Sequence, residues 1–285
     1  MKKETLKNAY ADCLRMAKTH YENFPVASVL LPKNLRKPIA VIYSFARRAD
    51  DFADEGELSK EQRHAALNDF SEKLDLIEQG HEVNDPTFIA LSDVIQRYQL
   101  PISLFHDLLT AFKMDVDKTR FTNFGEVMEY CRYSANPVGR LLLHLNNAVS
   151  PTNLGYSDAI CSALQLINFL QDIQQDLTEN NRIYLPLDEL EKFKVSEKDI
   201  KNKVTNPATR ALVEFQIRRI MKLMQAGAPL GKVLKGRMGF ELRMTIMGGT
   251  RILYKLNKQY DDVFTRPRLN KWDITWMLWK ALRAK

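Results

Sequence analysis

The stretch Arg47-Arg48-Ala49-Asp50-Asp51-Phe52-Ala53-Asp54 follows closely on an apolar run at residues 39–43. A second polar stretch, from Asn168 to Asp176, follows a largely apolar run at residues 163–167. Because positions three or four apart share one face of a helix, each stretch predicts a polar stripe on a helix. The first stripe is Asp50, Asp51 and Asp54, and the second stripe is Asn168, Asp172, Gln175 and Asp176.

The carboxylates of the two stripes predict a cation site. A carboxylate on a core-facing helix is costly to bury unless something pairs with it. Mg²⁺ prefers such hard oxygen ligands and usually takes one or two carboxylates together with substrate phosphates. One Asp-Asp-x-x-Asp string alone is also typical of a solvated acidic helix end, but two stripes in one chain favour a metal site. We therefore expect a helical enzyme that binds a diphosphate through magnesium.

Composition favours an all-α fold. The chain has 285 residues, of which 45% are hydrophobic, which is enough for one large domain or two small ones. It contains 11 glycines and 11 prolines and no alternating strand pattern, so long helices are favoured over a β-rich fold. We predict that residues 1–285 form a single all-α domain.

Apolar residues at helical spacing, together with Pro and Gly signals, predict where the helices lie. Helices are predicted at 4–23, 38–54, 59–80, 86–98, 101–115, 123–134, 138–149, 157–177, 207–227 and 238–259, and a short Trp-rich helix is predicted at 270–283. A short helix or turn is predicted at 33–37, and another short helix begins at Ser196. The polar segment at 115–120 is expected to be exposed.

The expected compartment is the cytoplasm. No apolar run is long enough to span a bilayer, and the N-terminus lacks the apolar core of a signal peptide. Cys13, Cys131 and Cys161 are odd in number and widely spaced, which fits neither a disulfide framework nor a zinc site.

The formal net charge of +7 favours some classes of binding partner over others. Neither a nucleic-acid motif nor a dense Lys/Arg block with interleaved aromatics is present, so nucleic acid is not expected. A diphosphate substrate and an anionic membrane surface explain the charge more simply.

Arginines lie close to both stripes. Arg47 and Arg48, one turn before Asp50, can neutralise the first stripe or reach a phosphate. Arg182 and Tyr184 follow the second stripe on a loop, where the guanidinium can fork onto a diphosphate oxygen. The alternative for Arg182 is an exposed loop cation.

Other candidates have an ordinary structural explanation beside the functional one. His20 and Asn23 end the first predicted helix, where capping is the simpler explanation. Tyr130 and Tyr133 precede a helix break, and each is compatible with a core tyrosine. The Trp-rich helix at 270–283 either packs on the domain or lies at a membrane surface with basic flanks.

Taken together, these stretches resemble the squalene/phytoene synthases, from about His20 to about Arg268. Five stretches carry the resemblance: Asn23-Phe24, Tyr43 to Asp54, Tyr130 to Gly139, Gln165 to Asp176 and Arg182-Ile183-Tyr184-Leu185-Pro186. The resemblance implies an isoprenoid synthase-type helical bundle around a central cavity. Finer features resemble the bacterial hydroxysqualene synthases of hopanoid pathways: Glu22 to Ser28, Ser134 to Gly139, Glu241 to Arg251 and Arg266-Pro267-Arg268-Leu269.

The resemblance also implies residue roles. Asp50, Asp51 and Asp54 would hold magnesium from one side of the cavity, and Asp172 and Asp176 from the other. Gln165 and Asn168 would support the second stripe, and Tyr130 would lie beside the reacting carbons. The diphosphate would be bound by Arg47, Arg182, Tyr184, His20 and Asn23.

The implied reaction ionises presqualene diphosphate, rearranges the cation and captures it with water, without NADPH. Where many family members have Ala-Gly, this chain has Ala135-Asn136, which changes the cavity wall beside Tyr130. Tyr133, Ser134 and Asn136 are candidates to position the water. The side chains expected to line the cavity are Phe24, Ile42, Phe45, Val138, Leu141, Leu142 and Leu164.

Three rival functions remain open. A presqualene diphosphate synthase or a phytoene-type synthase would join two prenyl diphosphates through the same motifs. A non-catalytic helical subunit would keep the fold, but such proteins should have damaged aspartate motifs. A basic membrane adaptor would bind lipid without turnover. The expected location is cytoplasmic, with a peripheral contact at the inner membrane face.

Overall fold

The computed structural model describes residues 3–19, 31–54 and 56–283, and the structural statements below concern these residues. Within them the all-α prediction is confirmed: no β-strand occurs, and Arg120 and Ile183 form an isolated parallel bridge. The helices are α1 (Lys3–Thr19), α2 (Arg36–Asp54), α3 (Lys60–Glu78), α4 (Pro86–Tyr98), α5 (Ser103–Asp117), α6 (Phe124–Ser134), α7 (Asn136–Leu145), α8 (Pro151–Gln171), α9 (Ile173–Asn180), α10 (Leu187–Lys192), α11 (Glu197–Lys201), α12 (Pro207–Gly227), α13 (Leu230–Val233), α14 (Gly236–Lys258) and α15 (Lys271–Arg283). None of these helices is long and apolar enough to cross a membrane.

The described chain divides into two compact units. The first unit contains the described residues up to Asp117 together with Pro137–Ser150, and the second contains residues 118–136 and those from Pro151 onward. The single domain expected for residues 1–285 stays a prediction.

Helix α2 is the central helix of the first unit, where it packs against α1, α3, α4 and α5. Phe45 on α2 is fully buried, and its ring centroid lies 5.7, 5.8 and 5.4 Å from those of Phe70, Phe88 and Phe105. Such tilted and edge-on ring contacts add to the energy of apolar burial. The expectation that Phe45 lines a cavity is therefore wrong, because its side chain is buried in the core of the unit.

The end of α2 explains the position of the first stripe. The buried residues of this helix become sparse after Phe45, with Ala49 and Ala53 as the last two. Asp50, Asp51 and Asp54 are only half-buried. Gly56 follows with φ +76°, a left-handed conformation that glycine adopts without strain and that commonly ends a helix.

Helix α8 is the central helix of the second unit and packs against α6, α9, α12, α13 and α14. The close approach of α12 depends on Gly227. A Cβ atom there would lie 2.5 Å from the Ile160 side chain and 2.6 Å from the carbonyl oxygen of Tyr156. The absence of a side chain at Gly227 thus lets α12 approach the backbone of α8.

Several predicted boundaries were wrong. The helix predicted at 157–177 is two helices, because the chain bends at Asp172 (φ −111°, ψ 11°) between α8 and α9. Helix α8 also begins earlier, at Pro151, since proline suits the first helical position. The helix predicted at 138–149 spans Asn136–Leu145. Asp115 is buried, not exposed as expected.

Candidate active site

The first stripe lies beside an arginine of its own helix. Arg47 Nε is 2.7 Å from Asp51 Oδ1, and Arg47 Nη1 is 3.3 Å from Asp50 Oδ2. The Asp50 and Asp51 side chains are 40% and 36% exposed, so both remain accessible to a cation. In this arrangement Arg47 neutralises the stripe, and its contact with a phosphate stays a prediction.

Arg48 has a structural role instead. Its guanidinium donates two hydrogen bonds to Asp85, of 2.7 and 3.0 Å. Asp85 also caps α4 by accepting hydrogen bonds from the backbone N–H groups of Thr87 and Phe88. Burial acts to raise the pKa of Asp85, but Arg48, the backbone N–H of Phe88 and the nearby Lys73 outweigh burial and hold the pKa below its ordinary value. Arg48 therefore fixes the start of α4 and is not available to a phosphate.

The second stripe surrounds the bend at Asp172. The hydrogen bonds from Asp172 N to Asn168 O (2.9 Å) and from Asp176 N to Asp172 O (2.8 Å) preserve helical spacing across the bend. Asn168, Asp172 and Asp176 therefore stay on one side of the chain, as the sequence predicted. Gln165, one turn earlier on α8, is half-buried.

Arg266, a residue with no predicted role in the site, binds Asp172. Arg266 Nε lies 2.6 Å from Asp172 Oδ1, and Arg266 Nη2 donates to Oδ2 at 3.1 Å. The neighbouring Gln171 is buried and donates to the carbonyl oxygen of Pro267 at 2.9 Å, which fixes the segment that carries Arg266. The pair lines a pocket of about 450 Å³ that also includes Lys203.

Burial raises the pKa of Asp172 above its ordinary value, although the adjacent Arg266 acts to lower it. A carboxylate with a raised pKa is one whose charged form is incompletely stabilised by its surroundings. A further cation at Asp172 would therefore be favourable.

The loop after α9 places Arg182 in the second unit. Asn181 takes the left-handed conformation (φ 49°), which ends α9 and lets Arg182 N donate to Asp176 O at 2.9 Å. Arg182 is 6% exposed, and its Nη1 donates to the Tyr184 hydroxyl at 3.2 Å. The alternative of an exposed loop cation is therefore wrong: the guanidinium is buried and oriented.

Tyr184 belongs to an aromatic cluster. Its ring stacks on Phe169 at a centroid distance of 3.6 Å, and Tyr130 lies 5.6 Å from Tyr184 and 6.0 Å from Phe169. Phe121 completes the aromatic cluster at 5.7 Å from Tyr130. Tyr130 is 5% exposed. The π faces of such rings attract a cation, most strongly where water is excluded.

The turn after Tyr130 has one satisfied and one unsatisfied polar group. Asn136 is buried, and its Oδ1 accepts a hydrogen bond from Ser162 Oγ at 2.9 Å. Ser134 Oγ is buried too, but none of the described residues gives it a hydrogen-bond partner. Ser134 follows Tyr130 by one turn, so both lie on the same face of α6. A buried hydroxyl of this kind is usually satisfied by a water or a ligand.

Two expected ligands of the diphosphate, His20 and Asn23, lie outside the described residues. Arg266 and Gln171 are the additions that the structure makes. The stretch Arg266-Pro267-Arg268-Leu269 carries part of the resemblance, but nothing in its sequence spacing indicates a contact with the second stripe.

The carboxylates fit a magnesium ion in their chemistry. Asp50, Asp51 and Asp172 present hard oxygen donors on partly exposed side chains, and one or two carboxylates suffice when phosphate and water complete the coordination. Among the described residues, no group of three His, Cys, Asp or Glu side chains forms a ready metal cage.

Enzymes that act on prenyl diphosphates combine an all-α fold with two aspartate stripes, a buried arginine and an aromatic cluster. The comparison with known proteins agrees with this class. The model of the squalene/phytoene synthase family matches residues 17–273. The chain belongs to the squalene/phytoene synthase family.

Individual relatives refine this assignment. The hydroxysqualene synthase of Rhodopseudomonas palustris is 37% identical over 248 residues, which cover 85% of this chain and 82% of that protein. The phytoene synthase of Mycobacterium tuberculosis is 35% identical over 190 residues, covering 67% and 61%. The crystal structure of squalene synthase HpnC from Alicyclobacillus acidocaldarius matches with a TM-score of 0.84 at 33% identity, covering 91% of this chain and 97% of that chain.

Proposed function

We propose that this protein is a hydroxysqualene synthase, which converts presqualene diphosphate and water into hydroxysqualene and diphosphate. The observation that carries the proposal is the 37% identity to a hydroxysqualene synthase over 85% of the chain. A second hydroxysqualene synthase, from Sinorhizobium fredii, is 33% identical over 89% of the chain. All five aspartates of the two stripes are present, as an active enzyme of this family requires.

Magnesium, when bound, would neutralise the diphosphate and so make it a better leaving group. Asp50, Asp51 and Asp54 of the first stripe and Asp172 and Asp176 of the second would hold it. In this proposal both stripes are needed for turnover.

Arginines would take over the charge that develops on the leaving diphosphate. The carbon–oxygen bond breaks with its electron pair remaining on the diphosphate, so fixed positive groups lower the barrier. Arg182 suits this role because it is buried and already oriented by Tyr184. Arg47 would assist at the first stripe, and His20 and Asn23 remain predicted contacts of the diphosphate.

The aromatic cluster would stabilise the carbocation left behind. The rings of Tyr130, Tyr184, Phe169 and Phe121 offer π faces in surroundings that exclude most water. Exclusion of water matters because early capture would stop the rearrangement. Gln165 and Asn168 would support the second stripe from α8.

Ser134 would hold the water that ends the reaction. Its buried hydroxyl needs a partner, and it lies one turn from Tyr130 on the same face of α6. The water oxygen adds to the cation, and its proton passes to the released diphosphate or to solvent. Asn136 is less suited to this role because its Oδ1 already accepts a hydrogen bond from Ser162.

A second candidate function is head-to-head joining of two prenyl diphosphates, giving presqualene diphosphate or a phytoene-type product. It is favoured by the 35% identity to a phytoene synthase. The cytoplasmic location, the peripheral contact with the inner membrane face and the independence from NADPH remain predictions of the same proposal.

Product analysis by mass spectrometry separates these functions. Purified protein with Mg²⁺ receives presqualene diphosphate or farnesyl diphosphate, with and without NADPH. We expect a C30 alcohol from presqualene diphosphate without NADPH, and its loss in Asp50→Asn/Asp172→Asn. Presqualene diphosphate formed from farnesyl diphosphate, with no alcohol, would support the second candidate instead. Squalene formed only with NADPH would overturn water capture, and inactivity with every substrate would indicate a non-catalytic subunit.

A further inference from the structure

A row of exposed tryptophans runs along α15. The exposed fractions of Trp272, Trp276 and Trp279 are 83%, 44% and 49%. Their spacing of four and three residues places all three on one face of the helix. Ile274 and Leu278 are also exposed, at 46% and 37%, but they lie on a different side of the helix from the row. We call the three tryptophans the tryptophan face. A contiguous exposed apolar surface of this kind marks an interaction site.

The opposite face of α15 is firmly attached to α14. Its buried residues are Asp273, Met277 and Ala281. The Asp273 carboxylate binds Arg251 Nε at 2.6 Å and Lys255 Nζ at 2.5 Å. The carbonyl oxygen of Ala281 accepts a hydrogen bond from Arg243 Nε at 3.3 Å. These contacts on either end of the helix fix its rotation, so the tryptophan face is presented outward.

The surroundings of the tryptophan face are basic. From Arg266 onward the sequence contains six basic residues and a single acidic one, Asp273, whose charge is buried and paired. Lys280 Nζ lies 5.7 Å from the Trp276 ring, and Arg251 lies between Trp276 and the exposed Tyr254, at 5.9 and 4.9 Å. The surface thus combines amphipathic aromatic rings with neighbouring basic side chains.

We propose that the tryptophan face docks on a lipid bilayer that contains anionic headgroups. Tryptophan rings favour the depth of the headgroups, and basic flanks are attracted to anionic lipid. A second copy of the chain fits less well, because a twofold contact through α15 would bring two basic rims together without an acidic partner. Docking through this face rests on the peripheral membrane contact of the proposed function and uses none of the chemistry of the reaction.

Intrinsic fluorescence provides a direct test. All three tryptophans of the chain lie in α15, so their emission reports on this helix alone. Full-length protein is titrated with vesicles of phosphatidylcholine, with or without phosphatidylglycerol. We expect a blue shift of the emission and quenching by brominated lipid with the anionic vesicles, and a weaker response at high salt.

Matched variants test the surface by vesicle co-sedimentation. Trp272→Glu/Trp276→Glu should reduce partitioning roughly tenfold or more, because it removes apolar area and adds repulsion. The control Leu58→Glu/Leu76→Glu adds the same charge at two side chains of the first unit, each 39% exposed. Its partitioning onto vesicles should decrease far less. Lys271→Gln/Lys280→Gln should weaken binding to anionic vesicles by about fivefold for each charge removed.

Two results would overturn the proposal. One is the absence of a fluorescence response to anionic vesicles, or an equal loss of partitioning in the tryptophan and leucine variants. The other is a concentration-dependent dimer in analytical ultracentrifugation that Trp272→Glu/Trp276→Glu abolishes, without vesicle binding by the unmodified protein. That second result would assign the face to contacts between copies of the chain. Circular dichroism of each variant shows that the fold is retained.

Discussion

Arg266 and Asp172 form a two-point ion pair, with Arg266 Nε 2.6 Å from Oδ1 and Nη2 3.1 Å from Oδ2. Arg47 binds Asp51 in the first stripe at 2.7 Å. In each stripe, therefore, an arginine of the protein already pairs with a carboxylate that is proposed to hold magnesium. A magnesium ion would compete with the guanidinium for these oxygens, and a guanidinium released in this way would be available to an anionic group.

Removing this competition should strengthen metal binding. We expect Arg266→Gln to bind Mg²⁺ about two- to fivefold more tightly in the absence of substrate, since a partly exposed ion pair contributes at most about 1 kcal/mol. Isothermal titration calorimetry with magnesium chloride measures the affinity. The control is Arg268→Gln, which loses the same charge two residues away. Equal tightening in both variants would show that net charge, and not the Asp172 contact, governs binding.

Replacement of Arg182 by lysine should strongly reduce the rate of turnover. Lysine keeps the charge but loses the planar fork and the hydrogen bond to the Tyr184 hydroxyl. We expect Arg182→Lys to reduce kcat by about 100-fold, as for loss of one oriented donor to a developing oxyanion. Tyr184→Phe is the comparison, because it removes the hydroxyl and keeps the ring stacked on Phe169. A loss as large in Tyr184→Phe would mean that the hydroxyl itself binds substrate.

The contrast between what was and was not predictable has a physical basis. Helical periodicity predicts a helix at 59–80, and α3 spans Lys60–Glu78, because local spacing determines which side chains share a face. The contact of Arg266 with Asp172 joins residues 94 positions apart through a loop, and no periodic pattern encodes such a contact. The bend at Asp172 was missed for a related reason: the residues around it are compatible with one continuous helix.

Replacement of two glycines of the second unit by alanine should change the free energy of unfolding in opposite directions. Gly227→Ala should lower the free energy of unfolding by about 1–3 kcal/mol, because its Cβ would collide with Ile160 and with the Tyr156 carbonyl. Gly155→Ala, within α8, should raise it by about 0.5–1 kcal/mol, since nothing lies within 4 Å and alanine favours the helix. Urea denaturation measures both. Destabilisation by Gly155→Ala would contradict the open surroundings of that position.

The attachment of α15 should depend on pH in the acid range. Burial acts to raise the pKa of Asp273, but the backbone N–H of Asn270 and the cations Lys255 and Arg251 lower it to about 2. An aspartate of the unfolded chain has a pKa of about 3.9. Between this pKa and that of the folded state, the folded protein therefore binds fewer protons than the unfolded chain. The stabilisation is therefore complete above about pH 4 and is lost as the pH falls towards 2.

Asp273→Asn should accordingly lower the free energy of unfolding by about 1–2 kcal/mol at neutral pH, after allowance for solvent screening of its partners. The difference from the unmodified protein should shrink as the pH falls from 4 to 2. Denaturation curves across that range measure it, with Asp261→Asn as the exposed control. A difference that is constant with pH would assign the loss to packing and not to charge.

Ser162 and Ser134 both have buried hydroxyl oxygens, of which the first bonds within the protein and the second is proposed to hold a water. Ser162 Oγ donates to Asn136 at 2.9 Å, so Ser162→Ala should cost about 1 kcal/mol of stability and leave the product unchanged. Ser134 Oγ has no partner among the described residues, so Ser134→Ala should cost almost no stability. Without the water that Ser134 holds, the cation would lose a proton instead, and C30 hydrocarbons should replace part of the alcohol. Thermal unfolding and product analysis of both variants measure the two effects, and an unchanged product in Ser134→Ala would remove Ser134 from the capture step.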